Sequence, residues 1–428
     1  MKFLVLGAGS CQLNLIKYLK SNNHEVIVTD YLKDSIGKKY ADKSEMVSTF
    51  DLEGIVSIAK KHKVDTILTA GTDQPVYYAA KACEILNLPN YISSNLALLV
   101  TDKKRMKEIF DKNNIPTVKY VLLKENENID SIDNDLFPGV VKPLDSQGQR
   151  GVLYIKDKDD LKKKINIPFS FTKQSEILLE KYYENDEITI SGWVIEKDTK
   201  VLSISDRVTY NNFPHIGICI SHNYPSKHYK EYSEEIINIT KDIVSGFKIE
   251  KGPIYFQMLI GSEGIKVNEI ACRIGGAFED VYIPYVSGVN MSDLLLRDSS
   301  NIPHIQKVKS NSISKKTKIS VQLFFASPGK ISYMSSLESL VSDGLILDGR
   351  FNFKVGDNIP KIKNATQRAG HFIVSSSNKD SLFEKVDKVF NKVKILDEDG
   401  NNLVIPYKLY NQMWDVSLYN ISLKLSPS

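Results

Sequence analysis

Asn268-Glu269-Ile270-Ala271-Cys272-Arg273-Ile274-Gly275-Gly276 closes a segment with strong strand character. Just upstream, Ile254–Ile260 and Ile265–Ile270 are apolar runs on either side of Gly261-Ser262-Glu263-Gly264, the pattern of a β-hairpin. That hairpin puts Gln257 and Glu269 on its two strands at positions able to face each other. An amide oxygen and a carboxylate are hard oxygen ligands, the kind that Mg²⁺ takes. Arg273 follows at once. A guanidinium beside a metal carboxylate is placed to hold a substrate carboxylate or a transferring phosphoryl group.

Working back from the hairpin, Glu187-Ile188-Thr189-Ile190-Ser191-Gly192 begins a strand, and Glu176–Lys181 is another. Glu180 and Glu187 flank the turn between them, either as functional carboxylates or as solvated strand ends. Further upstream, Gly139–Lys142 is a strand with a lysine at its end. It runs into Pro143-Leu144-Asp145-Ser146-Gln147-Gly148-Gln149-Arg150-Gly151 and then the strand Val152–Ile155. Such a loop either folds over phosphates, offering backbone N–H groups beside the Lys142 charge, or is an ordinary hairpin connection. It is not a Walker A loop, because G-x-x-x-x-G-K-[ST] is missing. Val118–Leu123 is a further strand. Before it, Thr101-Asp102-Lys103 opens a helix with Thr101 as its cap and Met106, Ile109 and Phe110 on one face; Asn113-Asn114-Ile115-Pro116 ends it.

The first hundred residues alternate strands and helices. Phe3–Leu6, Val26–Val28 and Thr66–Leu68 read as strands. Leu13, Ile16 and Leu19 mark one helix, Asp51 caps a second, and Ala79, Ala80 and Cys83 lie on a third. This alternation predicts a parallel sheet covered on both faces. Gly7-Ala8-Gly9-Ser10-Cys11-Gln12 joins the first strand to the first helix, and Asp30 lies 23 positions after Gly7. A dinucleotide fingerprint would have a third glycine where Gln12 stands. The turn therefore reads as a tight strand–helix connection or another ligand's site before it reads as an NAD site.

The 428 residues suffice for several domains, and 42% hydrophobic with 25% charged residues is globular composition. Fifty-six basic against 52 acidic residues leave +4, too little to argue for nucleic acid or an anionic membrane surface. No apolar run approaches membrane-spanning length. The N-terminal run reads as a strand and not as an export leader. Cys11, Cys83, Cys219 and Cys272 are scattered without paired spacing, so neither zinc nor disulfides are expected. The expected setting is cytoplasmic.

Taken in order, Asp102-Lys103, Val140-Val141-Lys142-Pro143, Ser146 to Val152, Leu179-Glu180-Lys181-Tyr182-Tyr183, Glu187 and Asn268 to Gly276 resemble the ATP-grasp superfamily. Within it they are most similar to the carboxylate–amine ligase branch, which includes L-amino acid ligases and relatives of glycinamide ribonucleotide synthetase and biotin carboxylase. The resemblance implies an α/β and α+β multidomain chain. Residues 1–100 would be a doubly wound, Rossmann-like pre-ATP-grasp domain. Residues 101–305 would be the ATP-grasp domain, with a lid at about 116–183, and 306–428 a small C-terminal α+β domain.

It also implies roles. Lys103 and Lys142 would contact the phosphates of ATP, with Lys142 near the adenine as well. Ser146, Gln147, Gly148, Gln149, Arg150 and Gly151 would be the mobile loop over the triphosphate. Glu180, Lys181, Tyr182 and Tyr183 would read the adenine edge, and Glu187 would hold the ribose hydroxyls. Gln257 and Glu269 would hold Mg²⁺ (or Mn²⁺), and Arg273 would meet the carboxylate substrate or the acyl phosphate. The implied partners are a small carboxylate and an amine, with a homodimer as a possible assembly.

Two positions depart from the family pattern. Many members carry an acid where Gln257 stands, and many read E-x-N where this chain has Ala271. A non-catalytic, ATP-binding regulatory protein is therefore a second reading, and an NAD-dependent oxidoreductase built on the first domain a third. Arg207, placed between strands near the expected site, is a candidate γ-phosphate or substrate contact. His215, His222 and His228 fall in a loop-like aromatic stretch that would shape a substrate pocket rather than bind a metal. Lys315-Lys316-Thr317-Lys318 reads as a solvated lead-in to a strand.

In the last third, Ser310–Ser314 reads as a linker. Ile319–Ala326, Phe351–Val355 and His371–Val374 read as strands, and Leu382, Phe383, Val386, Val389, Phe390 and Val393 as an amphipathic helix. Ile395 to Gly400 reads as a final strand and turn, and Leu409–Ser428, with Trp414, as a segment that packs back or meets a partner.

Overall fold

The protein is described from a computed structural model over residues 1–212, 214–304, 308 and 316–405. Strands Lys2–Leu6, Glu25–Thr29, Lys43–Glu45 and Thr66–Leu68 form a parallel sheet with Lys2–Leu6 and Glu25–Thr29 at its centre. Alternation along the first strand divides its side chains between two layers. Phe3 and Val5 pack with Leu15, Ile16 and Leu19 of helix Ser10–Ser21. Leu4 and Leu6 pack with Ile55, Ile58 and Ala59 of helix Leu52–His62. Both faces are covered, which is why these strands read as unbroken apolar runs. Asp51 caps the second helix, accepting from Gly54 N at 3.0 Å.

Among the described residues, the larger sheet has twelve strands. Its main path runs Gly264–Ala271, Gly252–Gly261, Asp186–Ile195, Asp198–Asn212, His215–Tyr224, Leu153–Ile155, Gly139–Pro143, Glu176–Lys181 and Tyr120–Lys124. The predicted hairpin is present, and Gln257 pairs directly with Glu269.

Several local expectations are corrected. Asp102, not Thr101, caps helix Lys103–Lys112, accepting from Arg105 N at 3.0 Å. Thr101 is buried and spends its hydroxyl on Ala97 O (2.8 Å) at the end of the preceding helix. Arg207 lies inside strand Asp198–Asn212, and His215 and His222 lie in strand His215–Tyr224, not in loops. Register shifts at Val201/Ser203 and Val208/Thr209 interrupt the alternation there, so the two-residue period is broken in the sequence.

The C-terminal strands continue the same sheet. Lys318–Phe324 pairs antiparallel with His215–Tyr224 on one side and Gly370–Ser376 on the other. The strand expected at Phe351–Val355 is instead Asp348–Phe351. Helix Lys379–Lys392 buries Leu382, Val386, Val389 and Phe390 as its spacing predicts. Phe213, the linker Ser310–Ser314, Lys315 and Leu409–Ser428 with Trp414 lie outside the described residues, as does the boundary near 305. Among the described residues, no helix is long and apolar enough to cross a membrane.

Candidate active site

A cavity of about 590 Å³ opens where the large sheet, the strands from Gly139 to Lys181, the turn Gly71-Thr72-Asp73 and the segment Ala365–Arg368 come together. Every residue given a catalytic, nucleotide or metal role from the sequence lines it except Gly151; of the three histidines only His222 does. Gly151 packs behind the loop at φ +74°, where a Cβ would come within 2.8 Å of Pro143 and 2.9 Å of Phe171. A larger groove of about 1620 Å³, bordered by Tyr91, Ile109, Phe247 and Asp298, contains none of the nominated residues.

Strand pairing fixes the first cluster. Val140 pairs with Glu180 and Lys142 with Leu178, which brings Lys142 Nζ to 2.5 Å from Glu180 Oε2. Lys107, one turn beyond Lys103 on its helix, puts Nζ 2.6 Å from Glu180 Oε1. Burial by itself would push the Glu180 carboxyl up, but the two ammonium groups hold it down to about 2. For Lys107 burial prevails over Glu180, and its pKa is lowered. Lys142 also donates to Asn268 Oδ1 at 2.9 Å.

Lys103 Nζ lies 3.1 Å from Glu269 Oε1 and donates to Ser146 O at 3.2 Å. Burial opposes its charge, yet Glu269 raises its pKa above the usual lysine range. Glu269 therefore already holds a cation at the position proposed for a metal. With Gln257 directly opposite, the donors are one carboxylate and one amide oxygen. That set fits Mg²⁺ or Mn²⁺ if phosphate oxygens and water supply the remaining ligands. Ala271 is buried and does not line the cavity, and Asn268 spends its amide oxygen on Lys142. Among the described residues no group of three or more His, Cys, Asp and Glu side chains could hold a metal by themselves.

Four arginines line the cavity: Arg150, exposed on the loop and donating Nε–H to Gln147 O at 3.1 Å, and three on the wall behind it. Arg207 pairs with Glu187 at 2.6 Å and donates to Gly217 O at 3.2 Å. Burial pushes the Glu187 carboxyl up, with Arg207 working against it. Arg273 pairs with Asp73 and lies 4.9 Å from the centre of the Tyr255 ring. Arg368 donates Nη2–H to Cys219 O at 2.9 Å.

The loop 145–151 is pinned at both sides. Gln147 Oε1 accepts from Asp73 N at 3.3 Å, and Gly148 O accepts from Ala365 N at 3.3 Å. Gly148 (φ +67°) and Gln149 (φ +64°) take the left-handed conformation that this sharp course needs. In the segment 180–183, Lys181 N and Tyr182 N donate to Lys119 O and Pro138 O, both at 2.8 Å. The Lys181 ammonium is engaged with Asp135 (2.7 Å), and Tyr183 Oη donates to Gly264 O at 2.7 Å.

The first-domain turn is occupied by its own side chains. Asp30 Oδ2 accepts from Ala8 N at 3.0 Å, and Gln12 bridges Gly9 N (3.1 Å) and Ala70 O (2.6 Å). These contacts use the groups a dinucleotide would take, which favours the tight-turn reading. The three histidines do not form one site. His222 is buried on the cavity wall with Nδ1 3.2 Å from Thr189 Oγ1, while His228 pairs with Asp186 at 2.6 Å.

No family model matches the chain. It is 27% identical over 218 residues to the D-alanine–D-alanine ligase of Flavobacterium psychrophilum, a match spanning 49% of this chain and 63% of that relative. The chain thus spans less than two thirds of that relative. Its fold superposes on the L-amino acid ligase of Bacillus licheniformis with a TM-score of 0.76 at 16% identity, covering 93% of this chain and 98% of that one. It superposes on the phosphoribosylglycinamide synthetase of Anaerococcus prevotii with a TM-score of 0.73 at 19% identity, covering 93% and 99%. The chain is a relative of the ATP-grasp carboxylate–amine ligases.

Within this ATP-grasp fold, sequence reasoning missed Lys107, Asp73, Tyr255 and Arg368, and it named His222 but set it in a loop. Lys107 carried the only usable signal, a lysine on the apolar side of a helix beside Met106 and Phe110. Arg368 carried none, because the C-terminal strands gave no hint that they return to the cavity.

Proposed function

We propose that the protein is an ATP-dependent carboxylate–amine ligase that acts through an acyl phosphate, with an amino acid or another small carboxylate as its acid. The observation that carries this reading is the convergence of Lys103, Lys142, Gln257, Glu269, Arg207 and Arg273 on one cavity. On this reading the triphosphate lies along Lys103 and Lys142 beneath the loop 146–151. The adenine lies against Glu180 to Tyr183, and the ribose near Glu187.

A substrate carboxylate oxygen attacks the γ-phosphorus, the bond to the β,γ-bridging oxygen breaks, and ADP leaves. The amine nitrogen then attacks the acyl carbon, the bond to phosphate oxygen breaks, and the nitrogen gives up a proton. Mg²⁺ or Mn²⁺ held by Glu269 and Gln257 supplies charge neutralisation for the phosphates. Lys103, Lys142 and Arg273 orient the phosphoryl group and stabilise its charge. The loop, tied to Asp73 and Ala365, keeps water from the acyl phosphate.

The uncharged Gln257 and the buried Ala271 favour one second reading, an ATP-binding regulatory protein without turnover. The test is Mg²⁺-dependent ADP release from ATP, screened over amino acids, other small carboxylates and amines. Release that needs both an acid and an amine supports the ligase. Thermal stabilisation by ATP without release under any pairing supports the regulatory reading.

A further inference from the structure

The four cavity arginines are not equivalent: Arg150 is exposed on the loop, where water solvates its charge, and the other three stand on the wall. Arg207 has Glu187 and Arg273 has Asp73, each in direct ion-pair contact. Arg368 has no carboxylate partner among the described residues. Its guanidinium spends Nη2–H on the backbone oxygen of Cys219, and Nε–H, shielded from solvent, has no acceptor. Burial, with the neighbouring Arg207 charge, lowers the Arg368 pKa. A guanidinium so placed on a cavity wall is short of one anion.

The position is built, not incidental. Asn364 and Gln367 lock the turn that carries Arg368: Asn364 Oδ1 accepts from Thr366 N (2.9 Å) and Gln367 Oε1 from Asn364 N (2.8 Å). Ala369 N then donates to Phe324 O at 2.8 Å as the chain enters strand Gly370–Ser376. The same turn touches the phosphate loop through Ala365 N and Gly148 O. Arg368 meets the wall at Cys219, on the strand that pairs with Arg207's own, whereas the proposed adenine contacts lie on Glu176–Lys181 and the turn after it.

We infer that Arg368 binds a non-reacting anionic group of a substrate, so that one substrate carries a carboxylate or a phosphate besides the groups that react. A carboxylate there makes that substrate an amino acid or a dicarboxylate; a phosphate makes it a phosphorylated amine or acid. The word "substrate" rests on the ligase reading, but the anion site does not.

The experiment fills the nucleotide side of the full-length protein with Mg²⁺ and the β,γ-imido analogue of ATP. Succinate and inorganic phosphate are then titrated separately by calorimetry. The expected result is that the wild type binds one of them and that Arg368→Gln weakens this binding on the order of ten- to a hundredfold. Affinity for the ATP analogue is unchanged, and Arg368→Lys, which keeps charge but loses the fork, recovers part of the loss. Succinate as the bound anion assigns a carboxylate, and phosphate assigns a phosphate ester.

The inference is overturned if neither anion binds the wild type, if binding survives Arg368→Gln, or if the ATP analogue loses affinity by the same factor. Should Arg368→Gln fail to fold, the Arg368→Lys series decides alone: undiminished anion affinity in it counts against the site. Absence of ADP release with every substrate pair would remove the ligase reading and leave the titration result standing.

Discussion

Lys107 and Glu180 form an ion pair at 2.6 Å with both side chains almost wholly withdrawn from water. Lys142 closes on the other carboxylate oxygen at 2.5 Å. A carboxylate between two ammonium groups keeps its charge in the interior, and it fixes Lys142 at the cavity wall. Lys107→Met should therefore destabilise the protein by on the order of 3 kcal/mol and raise the KM for ATP about tenfold. Urea unfolding and steady-state kinetics check the two effects. An unchanged KM would show that Lys142 holds its place without this support.

The same cluster sets an acid limit. Glu180 titrates near 4.5 in an unfolded chain and is held down to about 2 in the fold. Its stabilisation is complete above pH 4.5 and is lost as pH falls from there through about 2, because the unfolded state binds the proton first. In Lys107→Met the folded pKa rises, so acid unfolding should begin at a higher pH. Circular dichroism followed down in pH measures that midpoint.

Glu279 predicts the opposite slope. It is wholly buried, with Oε2 accepting from Ala277 N at 2.8 Å, and burial pushes its carboxyl up to about 7. Between pH 4.5 and 7 the unfolded chain has lost the proton that the folded chain keeps, so stability falls as pH rises through that window. Glu279→Gln should stabilise the protein by up to about 3 kcal/mol at about pH 8 and change little at about pH 4. Parallel pH profiles for variant and wild type would contradict this.

Glu269→Ala removes the carboxylate that faces Gln257 and leaves Lys103 without its partner. Lys142→Ala removes a cation that Glu180 and Asn268 hold in place. Each change should lower ADP release by at least about a hundredfold, in line with the loss of one preorganised electrostatic group. Circular dichroism separates this from unfolding. Full turnover in either variant would refute the site assignment.

The cysteines should be unreactive in the native state. All four are free thiols. Burial, the first cause in each case, pushes Cys11 up to about 11 and Cys272 up to about 12, and raises Cys83 and Cys219 as well. Alkylation follows the thiolate, so iodoacetamide at about pH 8 should label them only after denaturation. Fast labelling of Cys11, which lines the cavity, would mean that its surroundings are more positive than this geometry allows.

The legibility of the site varied with the distance over which its parts are assembled. Gln257 and Glu269 share one hairpin, so counting back from Gly261-Ser262-Glu263-Gly264 was enough to set them opposite each other. The loop from Ser146 to Gly151 lies between two adjacent strands and was readable for the same reason. Arg207 and His222 were misplaced because bulges break the strand periodicity around them. Thr101 and Asp102, a hydroxyl and a carboxylate one position apart, both suit a cap, and only the packing of the preceding helix chooses Asp102.

Short-range pattern along the chain carries the local structure. Apolar period and turn residues set the strands and helices, and the hairpin set the Gln257–Glu269 pair. The ordered motifs pointed to the ATP-grasp fold. Which charges meet is settled only when the chain is folded. Asp73 finds Arg273 across 200 positions, Lys107 and Lys142 share Glu180, and Arg368 is carried back by a strand of the C-terminal segment to stand on the cavity wall with no carboxylate partner among the described residues. Such pairings cost the chain its long-range loop entropy and are settled by burial, where an unpaired charge is expensive. No spacing along the sequence encodes them.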